Sequence, residues 1–369
     1  METNLRPVIA GFIPLLDSAV VVAAAEMGFA EREGIALKLI RETSWANIRD
    51  RISVGHFDVA HMLAPMPIAS SLNLTSLAVP MRAPMLLGLG GNAITVSTAL
   101  WADMADAGAD PSGDPASTGR ALADVIARRR DAGAPLLHFG VVHPFSGHAY
   151  ELRYWLAAAG IDPDRDVEIT VLAPQVMADA LRAGQLDGYC VGEPWNTAAV
   201  DAGTGRIATY KQAIWPDSPE KVLGVTEKWA EANPETLASL MRAFSAAADW
   251  CADPKNNREL ADILARPDLL ACPAETCLAA LSGQIRLGPA TTKSVPGFLT
   301  FAGGATAAPM PAHGKWFYEQ MVRWGQAVHS ADALEDVERI FSPDAYLSAL
   351  GLTGVSTDNV IEMFDGVRF

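Results

Sequence analysis

Three places in the chain carry side chains whose type and setting could bind a ligand. Trp45 follows a short apolar strand, ALKLI, and stands in the segment ETSWANIRD, where Ser44 can cap a helix. A tryptophan at a strand-to-helix junction is ordinarily a packing residue. At the carboxyl end of a strand in an open α/β sheet, however, its indole N–H points to where such sheets hold ligands. Ser146 and Gly147 precede a helix expected from about His148 to Ala159. Its unsatisfied N–H groups and dipole make a ready anion site, with His148 in the first turn. A lone histidine there reads equally well as a packed or surface residue. Lys221 lies in DSPEKVLGVT, a segment in which a lysine is normally exposed unless its neighbours turn it inwards.

Catalytic signatures are missing. The chain has no P-loop, no GxGxxG after a strand, no GxSxG elbow and no HExxH. The acid pairs Asp103/Asp106 and Asp162/Asp164 fall in loops and read as solvating. Cys190, Cys251, Cys272 and Cys277 are scattered, with no CxxC and no ligand-spaced histidine, and read as reduced, buried thiols. The expectation is a binding protein and not an enzyme, with no metal and no cofactor.

The elements that must position these residues come in two similar sets. Residues 52–67, ISVGHFDVAHMLAPMP, share a skeleton with residues 181–196, LRAGQLDGYCVGEPWN: Gly55, Asp58 and Pro65 answer to Gly184, Asp187 and Pro194 at equal spacing. In each copy a helix ends at a turn glycine, an aspartate opens a short apolar strand, and a proline stops it where a loop begins. Each copy is preceded by a Gly-Ile pair and a strand, Gly34-Ile35 with ALKLI and Gly160-Ile161 with VEITVL. The repeat predicts two α/β units built alike, with a ligand between them.

In chain order, residues 7–13 read as a first strand, and Asp17 and Ser18 as caps of a helix reaching about Arg32. Gly90-Gly91-Asn92 is a turn by composition, residues 107–119 a surface loop, and Arg120–Ala132 a helix whose Arg128, Arg129 and Arg130 form a solvated face. From Lys228 onwards apolar residues recur every three or four positions, which predicts helices that pad the first lobe. The Gly-, Pro- and Ala-rich stretch 292–312 cannot be regular throughout and is either a flap over the cleft or a wrap. The expected division is lobe I over 1–100, lobe II over 101–204, and a return to lobe I over 205–369, with crossings near 95–105 and 200–220.

At 369 residues the chain suits two lobes, and half of it is apolar. A formal charge of −15 argues against nucleic acid or an anionic membrane as direct partner, though an acidic protein can still bind a small anion locally. The stretch METNLRPVIAGFIP lacks a signal-peptide core, and AVVVAAA at 19–25 is too short to span a membrane, so a cytoplasmic location is expected.

The segments SWANIRDRI, AHMLAPMP, LRYWLAAAGIDP, CVGEPWN, PEKVLGVT and QMVRWGQ closely resemble the nitrate- and bicarbonate-binding proteins of ABC transporters, over nearly the whole chain. The resemblance implies a type II periplasmic-binding-protein fold, two α/β lobes closing on a ligand cleft. By motif it places anion contacts on Trp45, His148 and Lys221, to which the helix-start reading above adds Ser146 and Gly147. Asn92, a shorter amide, takes the place of a family glutamine. In bicarbonate-binding relatives the lysine position is acidic and works with calcium, so Lys221 points to nitrate or nitrite without metal. A Lys221→Glu exchange is then expected to abolish binding and leave the fold intact. Nitrate has only acceptors, and every residue carried over is a donor.

With no leader read at its start, the chain is similar to cytoplasmic nitrate/nitrite sensors of the NasS type, which hold an RNA-binding antiterminator of the NasT type until ligand binds. The alternatives are the substrate-binding protein of a nitrate ABC transporter with its leader removed, and an enzyme on the same fold such as a pyrimidine synthase of thiamine biosynthesis. That enzyme's cysteine-rich iron motif is absent here.

Overall fold

The computed structural model describes residues 5–356 and 360–369. The first four residues, part of the N-terminal stretch read for a leader, lie outside the described residues. The strands are β1 (Arg6–Phe12), β2 (Ile35–Arg41), β3 (Val59–Leu63), β4 (Met81–Gly90), β5 (Asn92–Ser97), β6 (Leu137–Val141), β7 (Val167–Val171), β8 (Gly188–Gly192), β9 (Gly205–Tyr210), β10 (Pro219–Thr226), β11 (Gln284–Gly288), β12 (Thr291–Ser294) and β13 (Leu299–Phe301).

They form two main sheets. The first runs β13-β4-β10-β3-β1-β2 and the second β7-β6-β8-β5-β9. In both, three parallel strands in the order second, first, third are followed by an antiparallel strand delivered from the other lobe, β10 in the first and β5 in the second. The order is that of a type II periplasmic-binding-protein fold.

The repeated aspartates explain themselves in this frame. The Asp58 backbone N–H donates to the Ile9 carbonyl while its carboxylate accepts from the Ile9 N–H at 2.8 Å. Asp187 does the same with His138, also at 2.8 Å. Each carboxylate thus adds one more rung between the first and third strands of its lobe. The repeated prolines do not open loops: Pro65 is the first residue of the helix Pro65–Ser71, and Pro194 directly precedes the helix Trp195–Asp201. Proline lacks the N–H that a first helical turn leaves unpaired, so it ends the strand and starts the helix at once.

The chain passes from β4 in the first sheet to β5 in the second through Gly90 and Gly91, both at positive φ, and not near 95–105 as expected. A Cβ on Gly90 would fall 2.3 Å from the Phe298 carbonyl oxygen, so this close crossing requires glycine. The return lies between β9 and β10, inside the expected 200–220. The second sheet therefore takes in β5 and β9, which boundaries at 101 and 204 had divided from it.

Residues 292–312 are a wrap. The hairpin β11-β12 packs Ile285 and Leu287 with Val200, Ile207 and Tyr210 of the second lobe, and β13 then pairs with β4 at the edge of the first sheet. This adds a further crossing at 295–298. It is tied to the others by Gly91 N–H to Phe298 O and Gly90 N–H to Ser218 O at 3.0 Å.

Several helices also depart from expectation. The first is broken at Gly28 (φ 72°) into Ala19–Glu26 and Phe29–Arg32; Ser18, and not Asp17, stands at the N-cap position, but its hydroxyl donates to the Leu15 carbonyl and makes no capping bond. The helix read from Arg120 starts at Pro115, because Asp114 accepts from Ser117 N–H and Pro115 fills the first helical position. Among the C-terminal helices, Pro234–Ala252 packs on Ala19–Glu26 of lobe I. Helix Pro311–Arg323 touches both lobes, through Pro65–Ser71 and Gly147–Ala158. Among the described residues no helix is long and apolar enough to cross a membrane.

Candidate anion site between the lobes

Each polar residue of the site sits where its element ends at the inter-lobe face. Asp17 follows β1 and Trp45 follows β2, while Lys221 and Glu220 lie at the amino end of antiparallel β10, which shares that face. From the second lobe come Asn92 at the start of β5, His148 and Glu151 on the helix Gly147–Ala158, and Lys211 just after β9. Neighbouring residues of a regular strand point to opposite faces. The pairing of β10 with β4 shifts register on both sides of Lys221, and this irregularity lets Glu220 and Lys221 serve one cluster.

Glu220 is the centre. Its Oε1 is 2.8 Å from Lys221 Nζ and 3.2 Å from His148 Nδ1; its Oε2 is 2.5 Å from Lys211 Nζ and accepts from Asn92 Nδ2 at 2.7 Å. Lys221 Nζ also lies 2.7 Å from Asp17 Oδ2, and Asp17 Oδ1 is 3.1 Å from His61 Nε2 on β3. Lys211 Nζ reaches Glu151 Oε1 at 2.5 Å, and Asn92 Nδ2 donates to Glu151 Oε2 at 3.2 Å. Trp45 flanks the group, with its ring centroid 5.4 Å from Lys221 Nζ and 5.7 Å from the His61 ring. All these side chains are buried.

Burial works against every charge here, and the partners decide which survive. For Asp17 burial is outweighed by Lys221 and His61, so its pKa falls. Burial likewise works to raise Glu220, but His148, Lys211 and Lys221 hold it well below the usual carboxylate range. Both lysines are raised, because their carboxylates outweigh burial. Glu151 goes the other way: burial raises it, and Lys211, already shared with Glu220, does not compensate. Burial pushes His148 down to about 3 and lowers His61, so both imidazoles are neutral at pH 7. Two ammonium groups thus stand against three carboxyls.

Several buried polar atoms have no hydrogen-bond partner among the described residues: Trp45 Nε1, His148 Nε2, His61 Nδ1 and Asn92 Oδ1. Buried polar atoms are normally paired, and such a set marks where a ligand would complete the bonding. Gly147 allows the approach, since a Cβ there would lie 2.5 Å from Glu220 Oε2 and 3.2 Å from Lys211 Nζ.

The residues expected at the site divide accordingly. Trp45, Asn92, His148 and Lys221 come together, and Gly147 lines the cluster. The Ser146 hydroxyl is engaged, accepting from Ala149 N–H at 3.0 Å and donating to the His143 carbonyl at 2.6 Å. Asp17, His61, Glu151, Lys211 and Glu220 escaped sequence reasoning. The rule that drew notice to Trp45 applies equally to Asp17, which follows the first strand, and a histidine inside the apolar VAHML strand was a second signal. Among the described residues no group of three or more His, Cys, Asp or Glu is arranged to hold a metal ion.

Two lobes of matching topology with a buried polar cluster between them define a clamp-type ligand-binding protein. The chain belongs to the NMT1-like family, whose model matches residues 2–265. It is 34% identical over 366 residues to the nitrate import ATP-binding protein NrtC of a Synechocystis species, covering 97% of this chain and 52% of the relative. The bicarbonate transport ATP-binding protein CmpC of Synechococcus elongatus matches at the same 34%, again over 52% of its length. The chain therefore spans about half the length of these relatives. With the nitrate/nitrite binding protein NrtA of Synechococcus elongatus it shares 31% identity, covering 99% of this chain and 84% of the relative. The crystal structure of the periplasmic nitrate-binding protein NrtA from Synechocystis superposes with a TM-score of 0.89 at 25% identity, covering 99% of this chain and 96% of that one.

Proposed function

We propose that the protein binds nitrate or nitrite between its lobes and serves as the substrate-binding component of an ABC importer. The observation that carries this reading is the set of buried, unpaired polar atoms, Trp45 Nε1 from one lobe and His148 Nε2 from the other, beside Lys221 and Asn92. Ligands of this geometry stabilise closure because contacts to both lobes exist only when the lobes are together. A 100-fold shift towards the closed form needs about 2.7 kcal/mol, within reach of two charge-assisted bonds at roughly 1.5–3 kcal/mol each.

Relatives named for nitrate import and nitrate/nitrite binding support the transport role. The sensor role, with a cytoplasmic location and an antiterminator partner of the NasT type, has the sequence resemblance alone behind it. Co-purification with such an antiterminator, released on adding nitrate, is its test. The equal match to a bicarbonate-transport relative makes bicarbonate the competing ligand. Calorimetric titration with nitrate, nitrite, bicarbonate and an alkanesulfonate separates these: one-to-one binding of nitrate or nitrite is expected, and binding of bicarbonate or the sulfonate alone overturns the assignment.

A further inference from the structure

An anion entering this cluster meets no spare positive charge. Lys221 lies between Asp17 and Glu220, and Lys211 between Glu151 and Glu220, each contact at 2.5–2.8 Å. A nitrate ion added beside them would set four negative groups against two ammonium groups in a region shut off from water. An unpaired buried charge of that kind costs several kcal/mol, and proteins avoid it by neutralising a group.

We infer that the site takes up its anion together with one proton, and that Glu151 is the group that receives it. This rests on the anion-binding reading above and adds the stoichiometry of binding.

The neighbours of each carboxyl choose Glu151. Asp17 has Lys221 and His61, and Glu220 has both lysines, His148 and Asn92. Glu151 has one cation, Lys211 on the segment after β9, and that cation is shared. The other groups facing it are the Asn92 amide on β5, the like-charged Glu220 on β10 and the Cys190 thiol on β8; His313, on the helix Pro311–Arg323, faces Lys211 and stays neutral through burial. Once the lobes close, Glu151 is the carboxyl least able to stay ionised. When they open and water enters, it returns towards an ordinary acid. Closure around the anion therefore draws a proton from solvent onto Glu151, whose Oε1 lies against the shared Lys211 ammonium and whose Oε2 accepts from Asn92 Nδ2. Proton uptake on binding requires that affinity rise as pH falls.

The test is calorimetric titration with nitrate in bis-Tris and in Tris, two cationic buffers of different ionisation enthalpy, neither of which is an anion competing for the site. The observed heats should differ by the ionisation difference times close to one proton per nitrate, and the association constant should fall nearly tenfold from pH 6 to pH 7. In Glu151→Gln the buffer dependence should vanish and the pH slope flatten. Infrared difference spectra of the wild-type protein, which need no variant, should gain a protonated-carboxyl band when nitrate is added. Binding with no buffer dependence overturns the inference while leaving the anion-binding reading standing. Uptake that persists in Glu151→Gln, or an absent carboxyl band, assigns the proton elsewhere and overturns the choice of Glu151. Absence of any nitrate heat removes both readings.

Discussion

Replacing Lys221 by methionine keeps most of the side chain's volume and removes its charge. Two buried carboxylates, Asp17 at 2.7 Å and Glu220 at 2.8 Å, then lose a cation at once. Glu220 retains Lys211, but Asp17 is left with His61, a neutral imidazole at 3.1 Å. Breaking a buried ion pair from one side costs about 3–5 kcal/mol, because the remaining charge stays buried. Lys221→Met should therefore destabilise the protein by about that amount at pH 7. Asp17 has a depressed folded pKa in the wild type, so its pairing contributes stability above the unfolded carboxyl pKa of about 3.9 and loses it as pH falls through the folded value. The gap between variant and wild type should accordingly narrow below about pH 4. Urea denaturation at pH 7 and at about pH 3 measures both, and the double variant Asp17→Asn/Lys221→Met should recover part of the loss. A Lys221→Met protein within about 1 kcal/mol of wild type at pH 7 would refute the reasoning. The same geometry corrects the expectation for Lys221→Glu: a third carboxylate between Asp17 and Glu220 would damage the fold as well as binding.

Gly147→Ala adds a methyl 2.5 Å from Glu220 Oε2 at a position where alanine is otherwise the better helix former, so nitrate affinity should drop at least tenfold with little loss of helical circular dichroism. Asp187→Ala removes one bond to the His138 backbone, about 1 kcal/mol, whereas Asp58→Ala also strands the indole N–H of Trp229, bonded at 3.0 Å, and should cost roughly twice as much in a urea titration. His148 and His313 are pushed down to about 3 and His143 to about 4, mainly by burial. The unfolded chain binds more protons than the folded one from about pH 6.5 downwards. Stability should thus fall with pH in that window, by about 2 kcal/mol per histidine at pH 5, and His313→Gln should reduce the slope of the denaturation midpoint against pH.

Much of the fold is written in the paired Gly-x-x-Asp stretches, because an aspartate that must bridge two parallel strands imposes its position on both lobes. Trp45 and His148 were legible because one follows a strand end and the other starts a helix, whereas Lys221, inside β10, was reached through the family resemblance and not through its local setting. The carboxylates were not, for a physical reason. Asp17 has the right local context for a cap, and only the arrival of β10, some 200 residues later in the chain, turns it into an ion-pair partner. Glu220 should face away from Lys221 by strand alternation, and the register shift that reunites them leaves no mark in the residue types. The third crossing at 295–298 was hidden in the same way, since a Gly- and Pro-rich segment tells of irregular backbone and not of where it lies.

A crystal structure of the protein grown with nitrate tests the central claim most directly. The account predicts density for one planar anion within hydrogen-bonding distance of Trp45 Nε1 and His148 Nε2, with Lys221 beside it and Asn92 or Glu220 shifted to admit it. Nitrate bound elsewhere, for example against Arg82, Arg242 and Arg339 in the 560 Å³ groove on lobe I, with the inter-lobe cluster unchanged, would contradict it.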